Sequence, residues 1–258
     1  MKHKMLFGIQ FDALRKAEMV DLLLSWVQNP ASTPRYVVTP NVDHTILFQK
    51  MPELREAYQH ASLVTADGRP VVWASKWVGR ALPECVPGSD LVPALFDRAD
   101  SEHELRVFLL GAGLGVADRA AVRIHERWPG VRVTGTYSPP MGFEKDAHEN
   151  QAIIQRVNQS DAHVLVIGLG APKQELWIHH NQSELRVPVA LCVGATIDFL
   201  AEEKKRAPKW MRGLALEWFH RMMSEPRRLG PRYLRDAWHF PQLVLRQFLQ
   251  DRRTMPPG

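Results

Sequence analysis

Three short runs, Val107-Phe108-Leu109-Leu110, Val164-Leu165-Val166-Ile167 and Val189-Ala190-Leu191-Cys192-Val193, are apolar at every position. A strand with one wet face alternates polar and apolar residues; a strand that does not alternate is covered on both faces, which is the condition of a parallel sheet between helices. Strands are expected over Met5–Gln10, Arg35–Thr39, Ser62–Ala66, Arg106–Leu110, Val131–Tyr137, His163–Ile167 and Val187–Val193, most of them bounded by Gly, Pro or Asp. Between them Asp118–Trp128, Asp146–Asn158 and Pro172–Gln182 read as helices, the last with Pro172 as first helical residue. The expected fold is therefore α/β, a Rossmann-like wound and mostly parallel sheet with helices on both faces. At 258 residues, 45% of them apolar, the chain can bury the core such a sheet requires.

The charge is distributed unevenly. Residues 204–258 hold thirteen Lys or Arg against four Asp or Glu, a surplus of +9, so the preceding 203 residues carry −4 and the net +5 belongs to the end of the chain. From Leu214 the apolar residues Leu214, Ala215, Trp218, Phe219, Met222 and Met223 fall at helical spacing, with Glu217, His220, Arg221 and Ser224 opposite. Pro226, Gly230, Pro231 and Pro241 are expected to break the rest of the chain into short helical pieces. We divide the chain into an α/β core, 1–199, and a basic amphipathic helical C-terminal appendage, 200–258. Arginines interleaved with Trp210, Trp218, Tyr233 and Trp238 suit an anionic lipid surface, and equally a helix packed on the body with a solvated basic face. No apolar run is long enough to span a bilayer and the first twenty residues lack a signal peptide's apolar stretch, so the expectation is a cytoplasmic protein. Two cysteines 107 positions apart point to reduced thiols.

Four stretches end predicted strands on one rim of the sheet. Gly111-Ala112-Gly113-Leu114-Gly115 lets backbone N–H groups approach a phosphate, or serves as a tight turn only; Val116 and the lack of an acid near Tyr137 and Ser138 depart from a dinucleotide fingerprint. Gly168-Leu169-Gly170-Ala171-Pro172-Lys173-Gln174-Glu175 places Lys173 and Gln174 in a first helical turn, within reach of a phosphate or a base edge, unless all three polar residues are simply solvated. Asp67, in Thr65-Ala66-Asp67-Gly68, stands either as a general base or as a cap for the helix near Arg69. Thr39-Pro40-Asn41 offers hydrogen bonds to sugar hydroxyls, with Asn41 or Asp43 as a helix cap the alternative. There is no Asp-x-Asp for a divalent cation, His179-His180 lacks an acidic partner motif, and no nucleic-acid motif accompanies the basic tail.

In this order these pieces resemble the WecG/TagA/CpsF family of bacterial glycosyltransferases. Val38-Thr39-Pro40-Asn41, Thr65-Ala66-Asp67-Gly68 with Val71-Val72-Trp73-Ala74, Gly88-Ser89-Asp90-Leu91, Phe108-Leu109-Leu110-Gly111, the Gly168–Glu175 stretch, Val193-Gly194-Ala195, Asp198-Phe199-Leu200, Arg206-Ala207-Pro208 and Leu216-Glu217-Trp218 carry the likeness across essentially the whole chain. The resemblance implies an inverting, metal-independent transfer of a hexosyl unit from a UDP-sugar donor to a polyprenyl-diphosphate-linked saccharide, with no cofactor, at the inner face of the cytoplasmic membrane. It makes Asp67 the catalytic base and places Thr39, Asn41 and Gln174 about the sugar and acceptor. Arg206, Arg221 and Arg228 would meet diphosphate oxygens, joined by the phosphate-approaching Gly111, Gly113, Gly168, Gly170 and Lys173. The chain departs from the family pattern at Cys85, where Arg is usual, and at Ala195, Glu202 and Ala215, where Gly is. A membrane-recruited nucleotide-sugar-binding protein without activity, and a nicotinamide-dependent oxidoreductase using Gly111–Gly115, are the rival readings; a homo-oligomer is compatible with either.

Overall fold

The computed structural model describes residues 2–100, 104–204, 206–208, 211 and 216–254. Six strands, β3 (Arg35–Val38), β4 (Leu63–Val64), β5 (Leu105–Gly111), β6 (Val131–Tyr137), β7 (Val164–Gly168) and β8 (Val189–Cys192), form one all-parallel sheet in the order β4-β3-β8-β7-β5-β6. The lack of alternation in β5, β7 and β8 has the expected cause. Phe108, Leu110, Leu165, Ile167 and Ala190 point into one hydrophobic core, while Val107, Leu109, Val164, Val166 and Leu191 point into the other. The first core is covered by α2 (Val42–Lys50), α3 (Pro52–Gln59), α7 (Ala147–Gln159) and α8 (Lys173–Asn181); the second by α1 (Lys16–Gln28), α5 (Gly88–Phe96), α6 (Val116–Arg127) and α9 (Thr196–Leu200). α4 (Arg69–Trp77) follows β4.

Two expectations need correction. Met5–Gln10 is not one strand but the tip of an antiparallel hairpin, with Met5 and Leu6 ending β1 (His3–Leu6), Ile9 and Gln10 beginning β2 (Ile9–Asp12), and the chain reversing at Phe7 and Gly8, which both take positive φ, 56° and 80°. Two consecutive residues of that kind make the tight connection that matches strand twist. The end of the chain is also more continuous than its punctuation suggests. After α10 (Glu217–Ser224), a single helix, α11 (Pro226–Thr254), runs 29 residues through Gly230, Pro231 and Pro241. Each interior proline removes one helical hydrogen bond. Phe240, Leu243, Val244 and Phe248 pack that helix on the first core, and tertiary burial outweighs the local penalty. Phe7 meets Phe240 edge-on at 5.6 Å, the Phe7 backbone N–H donates to Gln247, and Arg80 grips Asp251 at 2.7 Å. The described part of the appendage therefore lies folded back on α2 and the hairpin. Trp210, Arg212, Leu214 and Ala215 lie outside the described residues.

Because every strand of the sheet is parallel, the turns that follow β3, β4, β5, β7 and β8 crowd one edge. From β5 the chain turns toward β6 and from β7 toward β8, so connections diverge between these adjacent strands, the crevice where open α/β sheets bind ligands. The strand ends meet there as Gly111 opposite Gly168. A Cβ on Gly111 would lie 2.6 Å from the Gly168 carbonyl, and its φ of 112° is strained for any other residue. Gly111→Ala is thus expected to lower stability by about 3 kcal/mol or more, read as a fall in denaturation midpoint at unchanged m. A variant as stable as the parent would show that this close approach is not needed.

Candidate active site

A cleft of about 1330 Å³ opens along the carboxyl edge of the sheet, with α10 and α11 forming its far wall. Thr39, Asn41, Asp67, Gly113, Gly168, Gly170, Lys173, Gln174, Arg206, Arg221 and Arg228 all line it; Gly111 does not, lying behind them against Gly168. Residues separated by nearly 190 positions thus share one cavity.

Asp67 leaves β4 with its backbone N–H bonded to the Pro40 carbonyl at 3.0 Å. It does not cap α4. Gly68 holds that position with φ 102°, and among the described residues no hydrogen bond or ion pair engages the Asp67 carboxylate. Burial pushes this carboxyl up to about 6, against the opposing pull of Arg221; Glu217 adds to the rise, His44 opposes it, and Asp90 adds a little more. A base with such a value is half-ionised just below neutral pH, where proton transfer is most effective. Cys85 sits beside it, its sulfur accepting the Gly68 N–H at 3.2 Å, and burial raises the thiol to about 12. At this position the cleft wall is therefore neutral.

The other polar residues of the floor are more engaged. Thr39 donates its hydroxyl to the Cys192 carbonyl at 3.1 Å, tying β3 to β8. Asn41 caps α2 by accepting the His44 N–H at 3.3 Å, so of the two caps considered it is Asn41. Asp43 instead faces the appendage, paired with Arg235 and, at 3.6 Å, with Arg232. Gln174 and Glu175 are not solvated first-turn residues: both are buried, the Gln174 amide donates to Glu175 at 2.8 Å, and its oxygen accepts the Gly194 N–H at 3.1 Å. Ser138 pins the Gly111–Gly113 turn by donating to the Gly111 and Gly113 carbonyls at 3.1 and 3.2 Å.

The cations differ in what already occupies them. Lys173 is paired with Glu144 at 2.9 Å, Arg206 with Asp90 at 2.7 Å and Arg228 with Glu225 at 2.5 Å. Arg221 makes no ion pair among the described residues and lies over the Phe199 ring at 5.9 Å, as Arg206 does at 5.7 Å. Arg206 also keeps its Nε and Nη2 without hydrogen-bond partners among the described residues. A guanidinium stacked on an aromatic ring retains its in-plane donors, the geometry suited to phosphate oxygens. Among the described residues no group of three or more His, Cys, Asp or Glu converges on a point that could hold a metal ion.

Sequence reasoning missed Arg232 as a cleft residue and the buried partnership of His44 with Glu175. The signal for His44 was its place three positions after Asn41, a capping-box spacing. Nothing local marks Arg232, since its partner is 189 positions away. Glu202, one of the departures from glycine, has φ 57°, so the backbone there still takes the shape glycine favours and the side chain reaches Arg123 at 3.4 Å.

A parallel sheet whose edge holds an unengaged carboxylate opposite arginines from a folded-back appendage is a group-transfer site in form. Residues 4–254 match the model of the Glycosyl transferase WecG/TagA/CpsF family, and the chain belongs to that family of glycosyltransferases. Two curated relatives, the N-acetylglucosaminyldiphosphoundecaprenol N-acetyl-beta-D-mannosaminyltransferases of Staphylococcus aureus strains MW2 and NCTC 8325 / PS 47, are each 28% identical to it over 225 residues, covering 87% of this chain and 86% of theirs.

Proposed function

We propose that this glycosyltransferase moves a hexosyl unit, N-acetylmannosaminyl or glucosyl, from a UDP-sugar to a polyprenyl-diphosphate-linked saccharide, inverting the anomeric centre without a metal ion. The names of its relatives favour N-acetylmannosamine as the donated sugar and N-acetylglucosaminyl-diphosphoundecaprenol as the acceptor. The observation that carries the reading is the Asp67 carboxylate in the same cleft as Arg221, neither of them in an ion pair among the described residues. Asp67 takes the proton of an acceptor hydroxyl as its oxygen attacks the anomeric carbon; the bond from that carbon to the diphosphate breaks and UDP departs with the electron pair. Arg221, with Arg206 and Arg228, neutralises the charge that grows on the leaving diphosphate, and fixed donors in a sheltered cleft do so without reorganising. Thr39, Asn41 and Gln174 orient the sugars, and the Gly113, Gly168 and Gly170 turns with Lys173 leave room for the nucleotide phosphates.

The acceptor's prenyl chain requires a lipid surface, and α11 offers one. No described helix is long and apolar enough to cross a membrane. Leu234, Trp238, Leu245 and Leu249 instead form an exposed stripe at spacings of four, seven and four, opposite the face packed on the core, with Trp218, Phe219 and Met223 exposed on α10. We assign this side to the inner face of the cytoplasmic membrane, with the basic residues of the appendage against anionic headgroups.

Purified chain incubated with UDP-N-acetylmannosamine and a short prenyl-diphosphate N-acetylglucosamine is expected to release UDP and form a β-linked disaccharide lipid, undiminished by EDTA. Binding of UDP-sugar without product would identify a sensor, and loss of activity with EDTA would remove the metal-free mechanism. Replacing Leu234, Trp238 and Leu245 together by Ser is expected to lower sedimentation with phosphatidylglycerol vesicles at least about tenfold, since each buried side chain contributes about 1.5 kcal/mol or more. Unchanged sedimentation would place the lipid contact elsewhere.

A further inference from the structure

Among the described tryptophans, Trp26, Trp128 and Trp177 are buried in the body, whereas Trp73, Trp77, Trp218 and Trp238 are exposed by 47, 78, 42 and 71%. The exposed ones all stand on α4, α10 and α11, helices that line the cleft. Two of these helices carry the lipid-facing side chains already described; α4 does not figure among them. Its exposed positions are Arg69, Trp73, Lys76 and Trp77, which fall on one helical face. Val71, Val72 and Ala74 turn the rest of the helix into the first core. Every exposed residue of α4 is thus aromatic or cationic, and the helix contains no acid. Tryptophan is highly buried on average in soluble proteins, and a solvated helix face mixes charges of both signs. Tryptophan beside Lys and Arg, without acids, is the composition of a helix lying at a membrane–water interface.

The position of this face agrees with its composition. Arg69, Trp73 and Lys76 both line the cleft and are exposed, so they stand at its mouth. Ala237 and Pro241 do the same from α11. Pro241 follows Trp238 by three residues and precedes Leu245 by four, which puts it on the border of the exposed stripe. The stripe of α11 and the outer face of α4 therefore border one opening. Beyond it the two helices are tied together. Arg80, just past α4, donates to both carboxylate oxygens of Asp251 on α11 at 3.1 and 2.7 Å, and to the Met5 carbonyl at 2.7 Å. Met5 is itself an exposed apolar side chain. α4 begins two residues after Asp67 and extends about 13 Å from there, so its outer face runs from the base to the rim.

We propose that α4 is a second lipid-contacting element of this chain. Trp73 and Trp77 seat at the headgroup depth of an anionic bilayer, Arg69 and Lys76 lie against its phosphates, and the cleft opens into the interface between α4 and α11. Continuity with the α11 stripe and the one-signed charge of the face select this occupant. A second copy of the chain packed there about a two-fold axis would bring Arg69 and Lys76 against themselves. The inference rests on the reading of the acceptor as a prenyl-linked lipid and deepens it: the diphosphate enters the cleft between two membrane-bound helices without leaving the headgroup layer.

Two measurements on the full chain test it. Trp73→Ser with Trp77→Ser is expected to lower sedimentation with phosphatidylglycerol vesicles at least about tenfold, at an unchanged denaturation midpoint. Trp77→Cys carrying an environment-sensitive fluorophore is expected to shift its emission to the blue on the same vesicles and to be quenched by a nitroxide lipid at headgroup depth. Val122→Cys, exposed on α6 across the sheet, is expected to do neither, and the parent chain labelled alike gives the background from Cys85 and Cys192. No shift at position 77, or an equal shift at both positions, overturns the proposal, and this arm decides if the double variant fails to fold. If the α4 variant sediments like the parent while replacement of Leu234, Trp238 and Leu245 releases the chain, α4 lies off the membrane and only this proposal falls. If the α4 variant is released and the α11 variant is not, the proposal stands and the stripe loses its assignment. A parent chain that ignores vesicles yet transfers to a short prenyl acceptor removes the lipid contact of both helices and keeps the transfer reading. A dimer in analytical ultracentrifugation that Trp77→Ser splits, with sedimentation on vesicles unchanged, gives the face to a second copy and overturns the proposal.

Discussion

Asp67→Asn is expected to lower kcat by at least about 100-fold, the lower end of what a positioned base contributes, while UDP binds almost as before. Asn matches Asp in shape but cannot take a proton, so the loss isolates proton transfer from packing. The same substitution is expected to stabilise the fold. The Asp67 carboxyl is raised from its ordinary 3.8 to about 6 in the native state, so the folded protein holds the proton more tightly than the unfolded chain. At neutral pH the ionised side chain therefore costs stability, on the order of 2 kcal/mol, a cost that fades as pH falls from above 6 toward 4. Asp67→Asn removes it and raises Tm by several degrees at pH 7 but scarcely at pH 4. For the parent enzyme, kcat/KM is expected to rise with pH through about 6 as Asp67 ionises. A variant keeping more than about a tenth of wild-type kcat would deprive Asp67 of the role.

Arg221→Ala is expected to lower kcat about 10²- to 10³-fold, comparable with loss of a preorganised donor to a developing anion. Arg206 and Arg228 are already bound to Asp90 and Glu225, and so cannot replace it without breaking those pairs. Lys at this position should recover only part of the rate, since an ammonium is a point charge without the planar fork. The pH profile provides a second reading. Arg221 is the strongest opposing influence on the raised Asp67 carboxyl, so removing it moves the acidic limb of kcat/KM to higher pH. An unshifted limb at reduced kcat would put Arg221 on the diphosphate but away from the base; an unchanged kcat would leave the leaving group to other cations.

Much of this was legible in the chain because strand ends are local. The turns carrying Thr39, Asp67, Gly113 and Gly170 each follow an apolar run, and parallel topology delivers every such turn to the same edge. The continuity of α11 was not legible, because Pro231 and Pro241 argue locally for breaks and only the packing of Phe240, Leu243 and Phe248 on the core overrules them. Nor was the inward turn of Gln174 and Glu175. A first-turn glutamate ordinarily faces water, and its burial here depends on a histidine 131 positions away.

By itself the amino-acid order determined the strand and helix periodicities, the class of sheet, the basic character of the last quarter and the candidate base, since each is a property of neighbours along the chain. The tertiary structure alone decided that Arg221, unlike Arg206 and Arg228, stands without an ion pair among the described residues, that the Asp67 carboxyl is raised, and which polar side chains brace the cleft rather than face it. Those outcomes depend on burial and on charges brought together from distant positions, and electrostatic energy follows distance and solvent access in space.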